Sequence, residues 1–234
     1  MKVVGLLHAK KNNQRLQGKH MMRVGSIPLV EHMMVAASES RLLDDVVVSS
    51  DDKDILELGS KYRFSLEERE PEYASDENTG YAAIQRSVER YENKHEEMWW
   101  IGLMGNCLIL RQSLIDDVID TALSNNVKRV LCVVPESHRF PSYCFKRSEN
   151  GILDPWVGRE DVSPSIHHDQ PWYVDGIVYA WKDRIDALNP TYGFPVNRWD
   201  FVHVHDQFDM DLASWLYSRS PFLSSSWPET VGST

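Results

Sequence analysis

The chain has 234 residues, is 42% hydrophobic and 26% charged, and carries a formal net charge of −10. That length suits one α/β domain, or one domain with a small appendage, and the composition is that of a soluble globular protein able to bury a sizeable core. The acidic balance argues against nucleic acid or an anionic membrane as a main partner. Cys107, Cys132 and Cys144 are odd in number and form no CxxC pair, so they read as thiols in a reducing, cytoplasmic compartment. No apolar run approaches the ~20 residues of a membrane span, and the opening MKVVGLLHAKK holds too short an apolar stretch for a signal peptide.

In chain order, short β-branched runs alternate with amphipathic segments. VVGLL (3–7) predicts a first strand. Pro28 can open a helix carrying Leu29, Val30, Met33, Met34 and Ala37. DVVVSS (45–50) predicts a second strand, followed by a helix capped by Asp51 or Asp52. A helix from about Thr79 to Tyr91, a strand at WWIGLM (99–104), a helix after Arg111 and a strand at VKRVLCVV (127–134) continue the alternation. This β-α order predicts a mostly parallel, doubly wound sheet with helices on both faces. After Val134 the pattern changes: SYCFKRSENGILDPW reads as a hairpin turning at Glu149-Asn150-Gly151. A strand at WYVDGIVYAW (172–181), the run RWDFVHVH (198–205), a last helix from about Asp209 to Tyr217 and a Ser/Pro-rich tail follow. The division is one domain over 1–218, with a lobe at 138–175 and a tail at 219–234.

The stretch HAKKNNQRLQGKH, His8 to His20, gathers Lys10, Lys11, Arg15 and Lys19 in the loop after the first strand. Ligands of open α/β sheets bind at the carboxyl ends of the strands. On an acidic chain such a patch points to a small anion, and a loop with a glycine and several cations suits a polyphosphate. It has neither GxxxxGK[ST] nor GxGxxG, and a solvated basic loop is the alternative. His203 and His205 lie two apart, which in a strand puts both imidazoles on one face and Val202 and Val204 on the other. A half-buried strand that merely holds histidines is the alternative there, as an exposed polar loop is for His167-His168-Asp169. Trp99 and Trp100 read as core; Trp156, Trp172 and Trp181 are assigned to the lobe.

Four collinear blocks carry a resemblance over about residues 3–216. AKKNNQRLQGKHMMRVGSIPL resembles the opening A-R-x-x-S-x-R/G-L-P-G-K-N … G-x-P-L-I of the cytidylyltransferases that activate acidic sugars. These are the CMP-sialic acid and other nonulosonic acid synthetases, with the CMP-Kdo synthetases as cousins. DDVVVSSDDKDILELGSKY, REPEYASDENTGYAAIQRSVE and PSYCFKRSENGILDPW resemble three further family blocks. The resemblance implies a Rossmann-like three-layer α/β/α nucleotidyltransferase fold with a small hairpin dimerisation lobe. It implies transfer of CMP from CTP to the anomeric hydroxyl of a carboxylated sugar with release of pyrophosphate, assisted by Mg²⁺, in a homodimer. Carried over by position, Arg15 and Lys19 hold the triphosphate and serve catalysis. Lys10, Lys11, Asn12, Arg69, Asp76 and Asn106 complete the nucleotide set. Arg111, Tyr173 and Asp175 face the sugar, and His203, His205 and Asp206 are the metal candidates.

The chain departs from the family pattern in three places. Lys10-Lys11-Asn12-Asn13-Gln14 replaces R-G-G-S-K, so small residues that permit close backbone approach are gone, although asparagine tolerates the left-handed conformation. Asn106 stands where the Kdo cousins carry a metal-binding aspartate. His203 and His205 replace a D-x-D whose carboxylates hold Mg²⁺; imidazole suits a softer divalent ion. Two further readings therefore stand beside the transferase: a non-catalytic homologue that binds nucleotide or sugar phosphate, and a nucleotidyltransferase with another nucleotide or acceptor.

Overall fold

The computed structural model of the protein describes residues 1–74, 80–91, 97–135, 145–147, 153–155, 172–182 and 191–219. The elements are β1 (Lys2–His8), β2 (Arg23–Val24), β3 (Ile27–Pro28), α1 (Leu29–Glu39), β4 (Asp45–Ser50), α2 (Lys53–Lys61), β5 (Ser65–Glu68), α3 (Pro71–Ala74), α4 (Gly80–Tyr91), β6 (Met98–Met104) and β7 (Cys107–Ile109). There follow α5 (Leu114–Ser124), β8 (Arg129–Pro135), β9 (Phe145–Arg147), β10 (Leu153–Pro155), β11 (Trp172–Lys182), β12 (Thr191–Pro195), β13 (Phe201–His203) and α6 (Gln207–Arg219). Pro28 immediately precedes α1, and the Asp52 carboxylate accepts from the Asp54 N–H at 3.1 Å to cap α2.

Seven strands form one sheet in the order β12-β8-β11-β6-β1-β4-β5. β11 alone runs antiparallel to its neighbours, β6 and β8; the other pairings are parallel. The period of two explains the layers. Val3 and Leu7 of β1 enter one buried cluster with α1, α2 and α5, while Val4 and Leu6 enter a second with Val88 of α4. A third cluster joins β2, β7, β13 and α6 through Val24, Leu108, Val202, Val204, Met210 and Ala213. It fixes the β7–β13 ribbon against the main body.

The strands and helices fall close to their predicted places, and β9 pairs with β10 as the hairpin reading expects. Its turn at 149–151, the His167-His168-Asp169 cluster, Asp76, Cys144, Trp156 and the tail lie outside the described residues. β5, β7 and β12 carry no strong sequence period and are additions. Trp181 departs from its assignment to the lobe. It is 1% exposed in the sheet core, stacked on Trp100 at 6.3 Å between centroids and on Tyr179 at 5.3 Å.

That aromatic stack needs Gly102. A Cβ there would come within 2.2 Å of the Tyr179 ring. Gly102→Val is expected to lower unfolding free energy by about 1–3 kcal/mol through overpacking, read as a lower urea midpoint at unchanged slope. An unchanged midpoint would show that the ring moves aside freely.

Candidate functional site

The carboxyl ends of β1, β4 and β6 meet at one edge. The Ala9 N–H donates to Ser49 O at 3.3 Å, the Arg69 N–H to Ser50 O at 2.9 Å, and the Gly105 N–H to His8 O at 3.2 Å. Gly105 permits this last approach, because a Cβ would stand 3.0 Å from both Ala9 Cβ and His8 O. Above these ends lies a cavity of about 310 Å³. Lys10, Arg15, Lys19, Arg69, Asn106, His203 and His205 line it, and no aspartate or glutamate among the described residues does. A chain with net charge −10 therefore presents four cations to one small volume.

The loop keeps its shape without the small residues of the family pattern. Asn13 Nδ2 donates to Lys10 O at 3.1 Å, and His20 Nδ1 donates to the same carbonyl at 2.9 Å. Gly18, at φ 63°, supplies the left-handed residue that opens a 3-10 turn over Lys19–Met21. That turn buries Lys19, whose Nζ donates to Val204 O at 2.8 Å. Burial lowers the Lys19 pKa first, and the neighbouring Arg15 and Lys10 lower it further.

Arg69 sits on the far side of β1. Its Nη2 donates to Ser49 O and to His8 Nδ1, both at 2.9 Å. At the other side, Asn106 Nδ2 donates to Val204 O at 2.8 Å, so this carbonyl takes bonds from two cavity residues. Val202 and Val204 are buried while His203 and His205 face the cavity, their rings 4.1 Å apart. The expected alternation thus persists past the end of β13. Asp175 of β11 holds His203 Nδ1 at 2.8 Å, joining two candidates that stand 28 residues apart in sequence.

Other sequence candidates are placed elsewhere. Lys11 and Asn12 are exposed and do not line the cavity; the Lys11 N–H donates to Asp51 at 2.8 Å. Arg111 is tied to Asp117 and, at 3.5 Å, to Asp200, which anchors it at the start of α5 rather than in the cavity. Tyr173 is exposed on β11 and is not part of the wall. Asp206 is exposed at the start of α6, where its carboxylate accepts from the Asp209 N–H at 3.1 Å. Sequence reasoning gave no role to His8, His20 or Tyr73, all of which line the cavity. The bracketing of the basic loop was the one signal for His8 and His20, and Tyr73 had none.

The residues at the β13 tip do not fit a protein-held Mg²⁺. Mg²⁺ takes oxygen ligands, whereas the wall offers imidazoles, the Asp175 carboxylate is bonded to His203, and Asp206 caps a helix. Among the described residues no group of three or more His, Cys, Asp or Glu is arranged to hold a metal ion. His203 Nε2 and His205 Nδ1 are buried with no hydrogen-bond partner among the described residues.

Three of the cavity histidines, His8, His20 and His205, are held neutral. Burial, with the Arg69 guanidinium beside it, pushes His8 down to about 3. Burial likewise brings His20 and His205 down to about 4, the latter helped by His203, Arg15 and Lys19. In the unfolded chain imidazoles take up protons near pH 6.5. Between that pH and about 4 the unfolded state binds more protons, so stability falls as pH falls. A melting series from pH 7.5 to 4 is expected to show Tm dropping as pH passes below about 6.5, and His20→Gln to shallow the drop. A profile flat across this window would contradict the neutral assignment.

A family profile described as Cytidylyltransferase matches residues 4–143. N-acylneuraminate cytidylyltransferase of Streptococcus agalactiae serotype V is 23% identical over 230 residues, covering 91% of this chain and 55% of that protein. The chain thus spans about half the length of that curated relative. Pseudaminic acid cytidylyltransferase of Campylobacter jejuni serotype O:23/36 is 26% identical over 224 residues, covering 93% of this chain and 97% of the relative. Among solved structures, CMP-2-keto-3-deoxy-manno-octonic acid synthetase complexed with CTP superposes with a TM-score of 0.67 at 13% identity, covering 94% of this chain and 99% of that one. 4-Diphosphocytidyl-2C-methyl-D-erythritol synthase from Anaerococcus prevotii gives 0.63 at 12% identity, covering 93% and 99%. These two likenesses show a shared nucleotidyltransferase fold. The profile match takes in more than half of the sequence, and the chain belongs to the cytidylyltransferase family.

Proposed function

We propose that the protein transfers CMP from CTP to the anomeric hydroxyl of an acidic, nonulosonic-type sugar and releases pyrophosphate. The observation that carries this reading is the cavity itself, four cations and no carboxylate among its described lining, at the carboxyl edge of the sheet. The acceptor hydroxyl oxygen forms a bond to the α-phosphorus of CTP and gives up its proton to water, while the bond from that phosphorus to the bridging oxygen breaks and pyrophosphate departs. Nucleotidyl transfer of this kind asks the protein for positioning and charge neutralisation more than for a covalent intermediate. Arg15 can grip phosphate oxygens bidentately, and Lys19 is a compact charge held against the loop's far wall. Together they offset the charge that builds on departing pyrophosphate. Mg²⁺ enters only as a counter-ion carried by the triphosphate, since the donor set at the β13 tip does not suit it; that imidazole pair would favour a softer ion.

One observation favours a second reading, nucleotide binding without turnover: imidazoles occupy the tip where the resembling enzymes carry carboxylates. A pyrophosphate-release screen over keto-acid sugars separates the two. Release with one acidic sugar supports the transferase, whereas CTP binding with no release for any acceptor supports the binding protein. Assembly as a homodimer through the β9–β10 hairpin belongs to the first reading and is checked by sedimentation.

In a thermal-shift panel, CTP is expected to raise the midpoint more than UTP, GTP or ATP. Arg15 is exposed, so Arg15→Ala should fold normally and weaken CTP binding about tenfold or more. Lys19→Met should remove most of the CTP-induced shift. Unchanged shifts in both variants would rule the cavity out as the triphosphate site.

A further inference from the structure

His8 closes β1 in the middle of the cavity floor, between two unlike ends. The sheet order puts β6 on one side of β1 and β4 and β5 on the other. Lys19, Asn106 and the His203–His205 pair gather on the β6 side, where they converge on Val204. Arg69 and Tyr73 follow β5 on the other side, with Ala83 and Ile84 of α4 completing a largely apolar wall. The first end suits phosphates. The second, with an aromatic ring and two aliphatic side chains, suits a flat heterocycle.

The contact between Arg69 and His8 fixes a tautomer. A guanidinium has only N–H groups, so at the 2.9 Å contact His8 Nδ1 must accept. A neutral imidazole that accepts at Nδ1 carries its proton on Nε2. The Nε2 atom is buried, and no described residue accepts from it. Arg69 is itself fastened to Ser49 O and Ser49 Oγ, so the donor is aimed by a rigid frame rather than by a mobile side chain. A donor buried without an acceptor carries a desolvation cost until one arrives.

We propose that His8 Nε2–H reads an uncharged acceptor on the nucleobase, the 2-carbonyl oxygen or ring N3 of a cytosine, and so sets the nucleotide preference of the cavity. This inference rests on the cytidine-nucleotide reading above. His8 is a specificity-determining residue here and takes no proton in the reaction. Phosphate binding at the Lys19 end should be indifferent to it.

The test is calorimetric titration of the full chain with CTP and, separately, with inorganic tripolyphosphate. His8→Phe, which removes the donor, is expected to weaken CTP about three- to tenfold and tripolyphosphate by less than about twofold. His8→Gln, which keeps an N–H, should recover part of the CTP loss. Imidazole ¹⁵N spectra of labelled wild type give a reading that needs no variant. They should show the Nε2–H tautomer for His8, with its proton resonance moving on addition of CTP but not of tripolyphosphate. Equal loss of both ligands in His8→Phe, no loss of either, or an Nδ1–H tautomer would overturn the proposal. Failure of wild type to bind CTP at all would strike the nucleotide reading beneath it, a result distinct from the other three.

Discussion

The carbonyl of Val204 is the point on which the site depends. Lys19 Nζ and Asn106 Nδ2 both donate to it at 2.8 Å, and the Val204 N–H returns a bond to Asn106 O at 2.9 Å. Three distant segments are thereby locked together: the basic loop, the turn between β6 and β7, and the end of β13. A buried ammonium costs free energy unless it is bonded, and this carbonyl is what makes the burial of Lys19 tolerable. The neighbouring imidazoles inherit their placement from the same lock, since Val204 lies between them.

The scaffold was legible because its signals are local. The period of two in VVGLL and DVVVSS, Pro28 at a helix start and Asp52 as a cap each act within a few residues, and the sheet follows from their order. The clustering of cations in the first loop was legible from the sequence alone, and Lys10, Arg15 and Lys19 of that loop line the cavity. What stayed hidden was set by contacts across the fold. Nothing near Arg111 in sequence tells that Asp200 will hold it, and nothing near Asp175 tells that it will meet His203. Asp206 looked like a ligand because it follows HVH, yet a helix begins there and its amides claim the carboxylate. His8 was invisible for a similar reason: its meaning lies in the tautomer that Arg69, 61 residues away, imposes.

Electrostatics separates this cavity from the rest of the surface. Away from the cavity, carboxylates meet cations of their own, as with Glu70, which holds Arg86 and Arg90. Around the cavity the cations face one another, and burial first, then this mutual repulsion, lowers the Lys19 and His205 pKa values. Such an arrangement stores unfavourable energy that an incoming polyanion relieves, so charge complementarity here favours fast capture as well as affinity.

β11 is the one reversed strand of the sheet. Its beginning, rather than its end, therefore lies beside the carboxyl termini of its parallel neighbours, and Asp175 arrives at the cavity margin from a direction no other strand shares. The two grips on the cavity are consequently fed by separate stretches of chain, one from the first twenty residues and one from the later half. The two stretches are nevertheless coupled through the Val204 carbonyl, which takes the Lys19 bond, while the Asp175–His203 bond ties β11 to β13 within the later half. A backbone shift at Val204 would therefore be felt at both walls of the cavity at once.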